Sequence, residues 1–248
     1  MALADREYFR YQPRPRNPIV QLFGEAPVTA SLIAINVAVF LIDHLLAPDQ
    51  VTTPEGYVLQ FTRLEFWGHF SASFAIYGLQ LWRLITFQFL HANLMHLVFN
   101  MLSLYIFGPL VEQHLGSARY LRYYLICGVG GAVAYLALFM KGVLVGYAWQ
   151  PLVGASAGIF GILVAAAQVA PHATIMLLFP PIPMRLRTAA WVFIGIAVWT
   201  VFTRGRNAGG EAAHLGGAIV GFLLMQGEHL MGPRRLPPSP RGGYWDDA

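Results

Sequence analysis

The chain has 248 residues, of which 56% are hydrophobic and only 11% charged, against roughly 45–50% and about 25% in an average globular protein. With a net charge of +4 and a mean hydropathy of +0.54, it cannot cover its own surface with polar groups. Apolar segments recurring along the whole length read as an integral membrane protein and exclude disordered, collagenous and disulfide-stapled classes. Cys127 is the single cysteine, so no internal disulfide is available. Fifteen of the 16 basic residues are arginine, and none forms a basic stripe interleaved with aromatics, so nucleic acid is not an expected partner.

In chain order, residues 1–27 form a tail of mixed charge, followed by the first apolar run, Val28–Leu46. That run exceeds the 7–15 residues of a signal-peptide core and is read as a membrane span. A long connection, about 47–81, follows. Its aromatics Tyr57, Phe61, Phe66, Trp67, Phe70 and Phe74 suit either an element in the headgroup region or an ordinary extracellular loop. Five further runs, Leu94–Leu110, Tyr123–Met140, Gly154–Ala170, Arg187–Phe202 and Ala208–Leu230, approach the length that crosses about 30 Å of hydrocarbon. Backbone in lipid must satisfy its own hydrogen bonds, so these runs are helices, and the short ones need shielding by neighbours. Between the fourth and fifth runs, Pro180, Pro181 and Pro183 interrupt any helix and predict a short interfacial turn over Pro171–Arg187. Residues 231–248, rich in proline, arginine and glycine, are expected to be disordered. The predicted fold is all-α: a six-helix membrane domain over residues 28–230.

Orientation follows from arginine, because basic flanks stay on the cytoplasmic side. With the N-terminus inside, eleven basic residues fall in inner segments and five, Arg63, Arg83, Lys141, Arg204 and Arg206, in outer ones. Both termini are therefore expected in the cytoplasm and the long connection outside.

Polar side chains inside spans cost free energy and are functional candidates. His96 and Asn100 lie four apart on one face of the second span, with His91 just before it. Ser156 sits in Gly154-Ala155-Ser156-Ala157-Gly158, and His214 in the sixth span. Taken singly, each has a packing explanation. Depth joins them: Ser156 is 15 residues, about 22 Å, from Pro171, and His214 is seven residues, about 10 Å, from Asn207, which puts both near one level below the outer boundary. Small residues at four-residue spacing, Ala213, Gly217 and Gly221, together with Gly154, Gly158 and Gly161, allow the fourth and sixth spans to touch. A nucleophile, a base and hydrogen-bond donors at one depth suit acyl transfer. Ser156 would be the nucleophile and His214 the general base. His96, Asn100 and the Ser156 backbone N–H would receive the oxyanion. Phe160, one turn after Ser156, can stack on the imidazole. Glu211 is one turn from His214 but on an adjacent face, which predicts a dyad without an acid.

These strings resemble the rhomboid family of intramembrane serine proteases over about residues 28–230. The resemblance rests on Trp82-Arg83, on the run from His91 through His96 to Asn100, on Gly154-Ala-Ser156-Ala-Gly158, on Ala213-His214 through Gly217 to Gly221, and on Glu112 before Leu115-Gly116-Ser117. It implies cleavage of peptide bonds in or beside transmembrane segments of single-span or multi-span substrates in the lipid bilayer. A Ser156–His214 dyad in a water-filled cavity open to the outer side would act without metal or organic cofactor. Phe160 stands where many members carry tyrosine. The chain's size suits a bacterial inner membrane. The rivals are a catalytically silent rhomboid-like protein that binds membrane clients, and a transporter or channel whose histidines relay protons or hold metal.

Overall fold

The computed structural model describes residues 22, 24–46, 48–52, 58–144, 146–177 and 181–230. Most of the expected tail 1–27 and all of 231–248 lie outside them. Every apolar run corresponds to a helix: α1 (Pro27–Leu45), α4 (Leu94–Leu115), α5 (Ser117–Met140), α6 (Ser156–Val169), α7 (Leu186–Phe202) and α8 (Ala208–Leu230). Two short helices, α2 (Arg63–Gly68) and α3 (Arg83–Thr86), precede α4. Among the described residues, four helices are long and apolar enough to cross a membrane: Pro27–Leu45, Leu94–Leu115, Ser117–Met140 and Ala208–Gly227. The apolar helices α6 and α7 are shorter, at 14 and 17 residues. Helix α6 begins at Ser156, two residues after the expected start. Gly154 has φ +130°, a backbone conformation that residues with a side chain rarely adopt, and breaks the helix there.

The helices present Trp191, Trp199, Phe202, Phe222 and Leu223 outward while burying small residues and tyrosines. Helix α6 is the most enclosed, with Ile162, Ala165 and Ala166 fully buried between α4, α5 and α8. The close approach is built from glycine. A Cβ on Gly217 of α8 would strike the carbonyl of Ala157 on α6, and one on Gly221 would stand 2.7 Å from the Gly161 Cα and 2.6 Å from the Tyr123 hydroxyl. Gly158 is packed against the Tyr124 ring of α5. Where no water is available to drive helices together, such contacts supply the attraction.

Glu112 fixes the far end. Its buried carboxylate accepts hydrogen bonds from the Val28 and Thr29 N–H groups (2.9 and 2.7 Å), the Thr29 hydroxyl (2.8 Å) and the Ser117 hydroxyl (2.6 Å). One side chain thus caps the start of α1 and ties it to the α4–α5 turn, where Gly116 takes φ +78°.

The long outer connection is more structured than the sequence suggests. An antiparallel hairpin, β1 (Asp49–Thr52) with β2 (Val58–Phe61), leads into α2. Asp43 at the end of α1 caps α2, accepting from the Thr62 hydroxyl at 2.6 Å and the Leu64 N–H at 2.7 Å. A π-helical turn, Ser73–Tyr77, precedes α3. Of the aromatics named above, Phe61 and Phe70 are buried, Trp67 is exposed and Tyr57 lies outside the described residues. The connection Pro171–Arg187 contains an antiparallel pair, β3 (Thr174–Met176) and β4 (Pro183–Arg185), where a simple turn is expected. Proline forbids a helix there but is compatible with a two-stranded edge.

Candidate active site

The α8–α6 contact delivers His214 to the N-terminus of α6. Its Nε2 is 2.7 Å from the Ser156 Oγ. The Phe160 ring, one turn beyond Ser156, stacks on the imidazole with centroids 4.2 Å apart and planes 9° from parallel. Ser156 opens α6, so its backbone N–H belongs to the first turn, whose amides have no partner within the helix.

His96 and Asn100 approach from α4. They line, with Ser156, Phe160 and His214, one cavity of about 510 Å³ whose rim includes Arg206 and Asn207. A Cβ on Gly154 would lie 2.8 Å from both Nε2 and Cε1 of His96, so glycine lets the imidazole reach the turn before the serine. The Asn100 Nδ2 donates to the His96 carbonyl at 2.8 Å, which orients the amide and leaves its second N–H available. Asn93 caps α4 by accepting from the His96 N–H at 2.9 Å.

The serine loop is held from both sides. Phe70 and Leu152 exchange backbone hydrogen bonds of 3.0 and 2.7 Å, and the Gly154 N–H donates to the Phe87 carbonyl at 2.9 Å. Buried Arg83 braces the outer segment that supplies Phe70: it donates to the His69 carbonyl (2.7 Å) and the Gln80 side chain (2.6 Å), and lies over the Phe74 ring. Burial lowers its pKa to about 10, which still leaves the guanidinium charged at neutral pH.

Two comparisons bear on this arrangement. The family model for the Rhomboid domain matches residues 78–228, more than half of the chain. The chain belongs to the rhomboid family. Rhomboid protease AarA of Providencia stuartii is 28% identical over 223 residues, covering 81% of this chain and 72% of that protein. Rhomboid protease GluP of Bacillus subtilis (strain 168) is 34% identical over 143 residues, 57% of this chain and 25% of that protein. RHOMBOID-like protein 6, mitochondrial, of Arabidopsis thaliana is 32% identical over 151 residues, 60% of this chain and 44% of that protein. The chain thus spans less than half the length of the last two. Membership and the apolar helices make this rhomboid an integral multi-pass membrane protein.

Not every residue of the resemblance reaches the cavity. Trp82, half-exposed, donates to the Trp67 carbonyl at 3.2 Å, and Arg83 acts at the outer segment. His91 is buried, with its ring edge-on to His96 at 5.1 Å, and burial pushes its pKa down to about 3. Glu112 stands 16 residues, about 24 Å, along α4 from His96. Gly158, Gly217 and Gly221 act through helix contact.

One geometric expectation is corrected. Glu211 is not turned away from the histidine: its Oε2 is 2.8 Å from the His214 Nδ1. Residues three apart are neighbours on a helix surface, and the flexible Glu side chain spans the angular offset that the face argument treated as a barrier. The i,i+3 spacing was the signal that could have found it.

Proposed function

We propose that this rhomboid is an intramembrane serine endopeptidase that hydrolyses peptide bonds in or next to transmembrane segments of membrane-protein substrates. The observation that carries this is the 2.7 Å contact between the Ser156 Oγ and the His214 Nε2, inside a polar cavity walled by apolar helices. Six helices, α1 and α4–α8, are read as spanning the bilayer over residues 28–230. The enclosed position of α6 supports this for the shortest of them, since protein neighbours can shield it where lipid would not. The arginine distribution supports both termini on the cytoplasmic side, with the cavity opening outward. A bacterial inner (plasma) membrane is the proposed site, and relatives named from bacteria and from mitochondria both match the chain.

The chemistry runs in two halves. Ser156 Oγ attacks the scissile carbonyl carbon while its proton passes to His214 Nε2, and the carbonyl oxygen becomes an oxyanion. In this reading the second Asn100 N–H, the His96 ring and the Ser156 backbone N–H donate to it. The C–N bond then breaks as Nε2 returns the proton to the departing amine, leaving an acyl ester on Ser156. Water in the cavity gives a proton to Nε2, its oxygen attacks the ester, and the proton returns to Oγ as the carboxylic acid leaves.

Incubating the purified protein in liposomes with a single-span substrate, and sequencing the products by mass spectrometry, tests this. A cut near the outer boundary that disappears in Ser156→Ala is the expected result. Client binding without any cut would favour the silent rhomboid-like alternative.

A further inference from the structure

We propose that Glu211 is a positioning residue for His214, an addition to the Ser156–His214 dyad that acts through the imidazole and does not touch substrate. This rests on the peptidase reading above. Glu211 lies in the first turn of α8, its N–H donating to the Asn207 carbonyl at 3.0 Å, and its carboxylate reaches the next turn to meet Nδ1 at 2.8 Å. The two side chains are only 17% and 15% exposed, so the contact is largely shielded from competing water.

The tautomer gives the contact its chemical meaning. His214 can take a proton from Ser156 only if Nε2 is bare, which requires the neutral ring to carry its proton on Nδ1. A carboxylate is acceptor-only and therefore selects that tautomer. It also faces the positive ring formed once Nε2 is protonated, while Nδ1–H stays where it is throughout. Phe160 fixes the ring face, Ser156 one nitrogen and Glu211 the other. Among the described residues, the other titratable or charged groups lining the cavity are His96 on α4, Tyr135 on α5 and Arg206 in the α7–α8 turn. None of these supplies an anionic acceptor for Nδ1 at neutral pH.

The test measures kcat and KM in liposomes for wild type, Ser156→Ala, Glu211→Gln and Glu211→Asp, with melting temperatures. Glutamine keeps the size of the side chain but carries an N–H that can donate to Nδ1 and hold the wrong tautomer. Glu211→Gln should lose on the order of 10–10² in kcat with KM and melting temperature unchanged, and Glu211→Asp should recover part of the loss. Wild-type kcat in Glu211→Gln, or a loss that follows melting temperature, would overturn the proposal. A readout independent of turnover is the low-field Nδ1–H proton resonance of His214, identified by its loss in His214→Ala. Its presence in wild type and upfield shift in Glu211→Gln are expected, and an unchanged resonance would overturn the positioning role. Failure of wild type to cut, with that resonance present and shifting as expected, would instead count against the peptidase reading.

Discussion

Phe160 and His214 lie face to face, 4.2 Å apart and 9° from parallel, although they come from different helices. The stack holds the imidazole plane against α6 and needs an aromatic face but no hydroxyl. An aromatic contact of this kind is worth about 0.5–1.5 kcal/mol, or roughly 2–12-fold in a rate that depends on ring position. Phe160→Leu should therefore lower kcat within that range while Phe160→Tyr keeps it, as steady-state cleavage rates will show.

The proposed roles predict a graded series. Ser156→Ala and His214→Ala each remove the covalent route and should abolish turnover. Asn100→Ala removes one of several oxyanion donors and should cost on the order of 10²–10³ in kcat or less. Equal and total loss in all three, accompanied by a lower melting temperature, would point to misfolding in place of chemistry.

The α6–α8 contact tolerates no side chain at Gly217, because a Cβ there meets backbone, which cannot rotate away. Gly217→Val should lower thermal stability in detergent and abolish cleavage together. Gly227, near the end of the same helix, has open space around its Cα, so Gly227→Ala should leave both unchanged.

Glu112 should matter for stability and not for chemistry. Replacing it by alanine leaves the Val28 and Thr29 N–H groups without their acceptor in a buried setting, at a cost of about 1–3 kcal/mol or more. The expected outcome is a lower melting temperature, with kcat near wild type at temperatures where the variant remains folded.

Acid should loosen the outer segment. His69 is fully buried, its Nδ1 bonded to the Glu65 carbonyl, and burial lowers its pKa from 6.5 to about 4. Between those values the unfolded chain binds a proton that the folded chain does not, so stability is complete above about pH 6.5 and falls as pH drops toward 4. His91 acts in the same sense. The melting temperature should fall between pH 7 and pH 5, and His69→Phe should flatten that slope.

Most of the helical frame was legible because apolar run length is a strong signal: six runs, six helices, with ends shifted by a few residues. The meeting of Ser156 and His214 was also legible, since rise per residue converts sequence position into depth. The outer connection was not. Its pairing with Leu152 joins Phe70 to a residue 82 positions further along the chain, which no local pattern encodes, and its hairpin pairs four residues with four, too short a run for an alternation to stand out. The Glu211 contact was missed for a different reason. Ranking helix faces by ideal angle ignores that a long side chain swings, and hydrogen bonds are made by atoms and not by faces.

The central claim is that Ser156 is made nucleophilic by His214. The most direct measurement is labelling of the purified protein in liposomes with a fluorophosphonate, with the adduct located by mass spectrometry. A single adduct on Ser156 in wild type, lost in Ser156→Ala and in His214→Ala, is the predicted result. An adduct elsewhere, or labelling of Ser156 at the wild-type rate in His214→Ala, would contradict it.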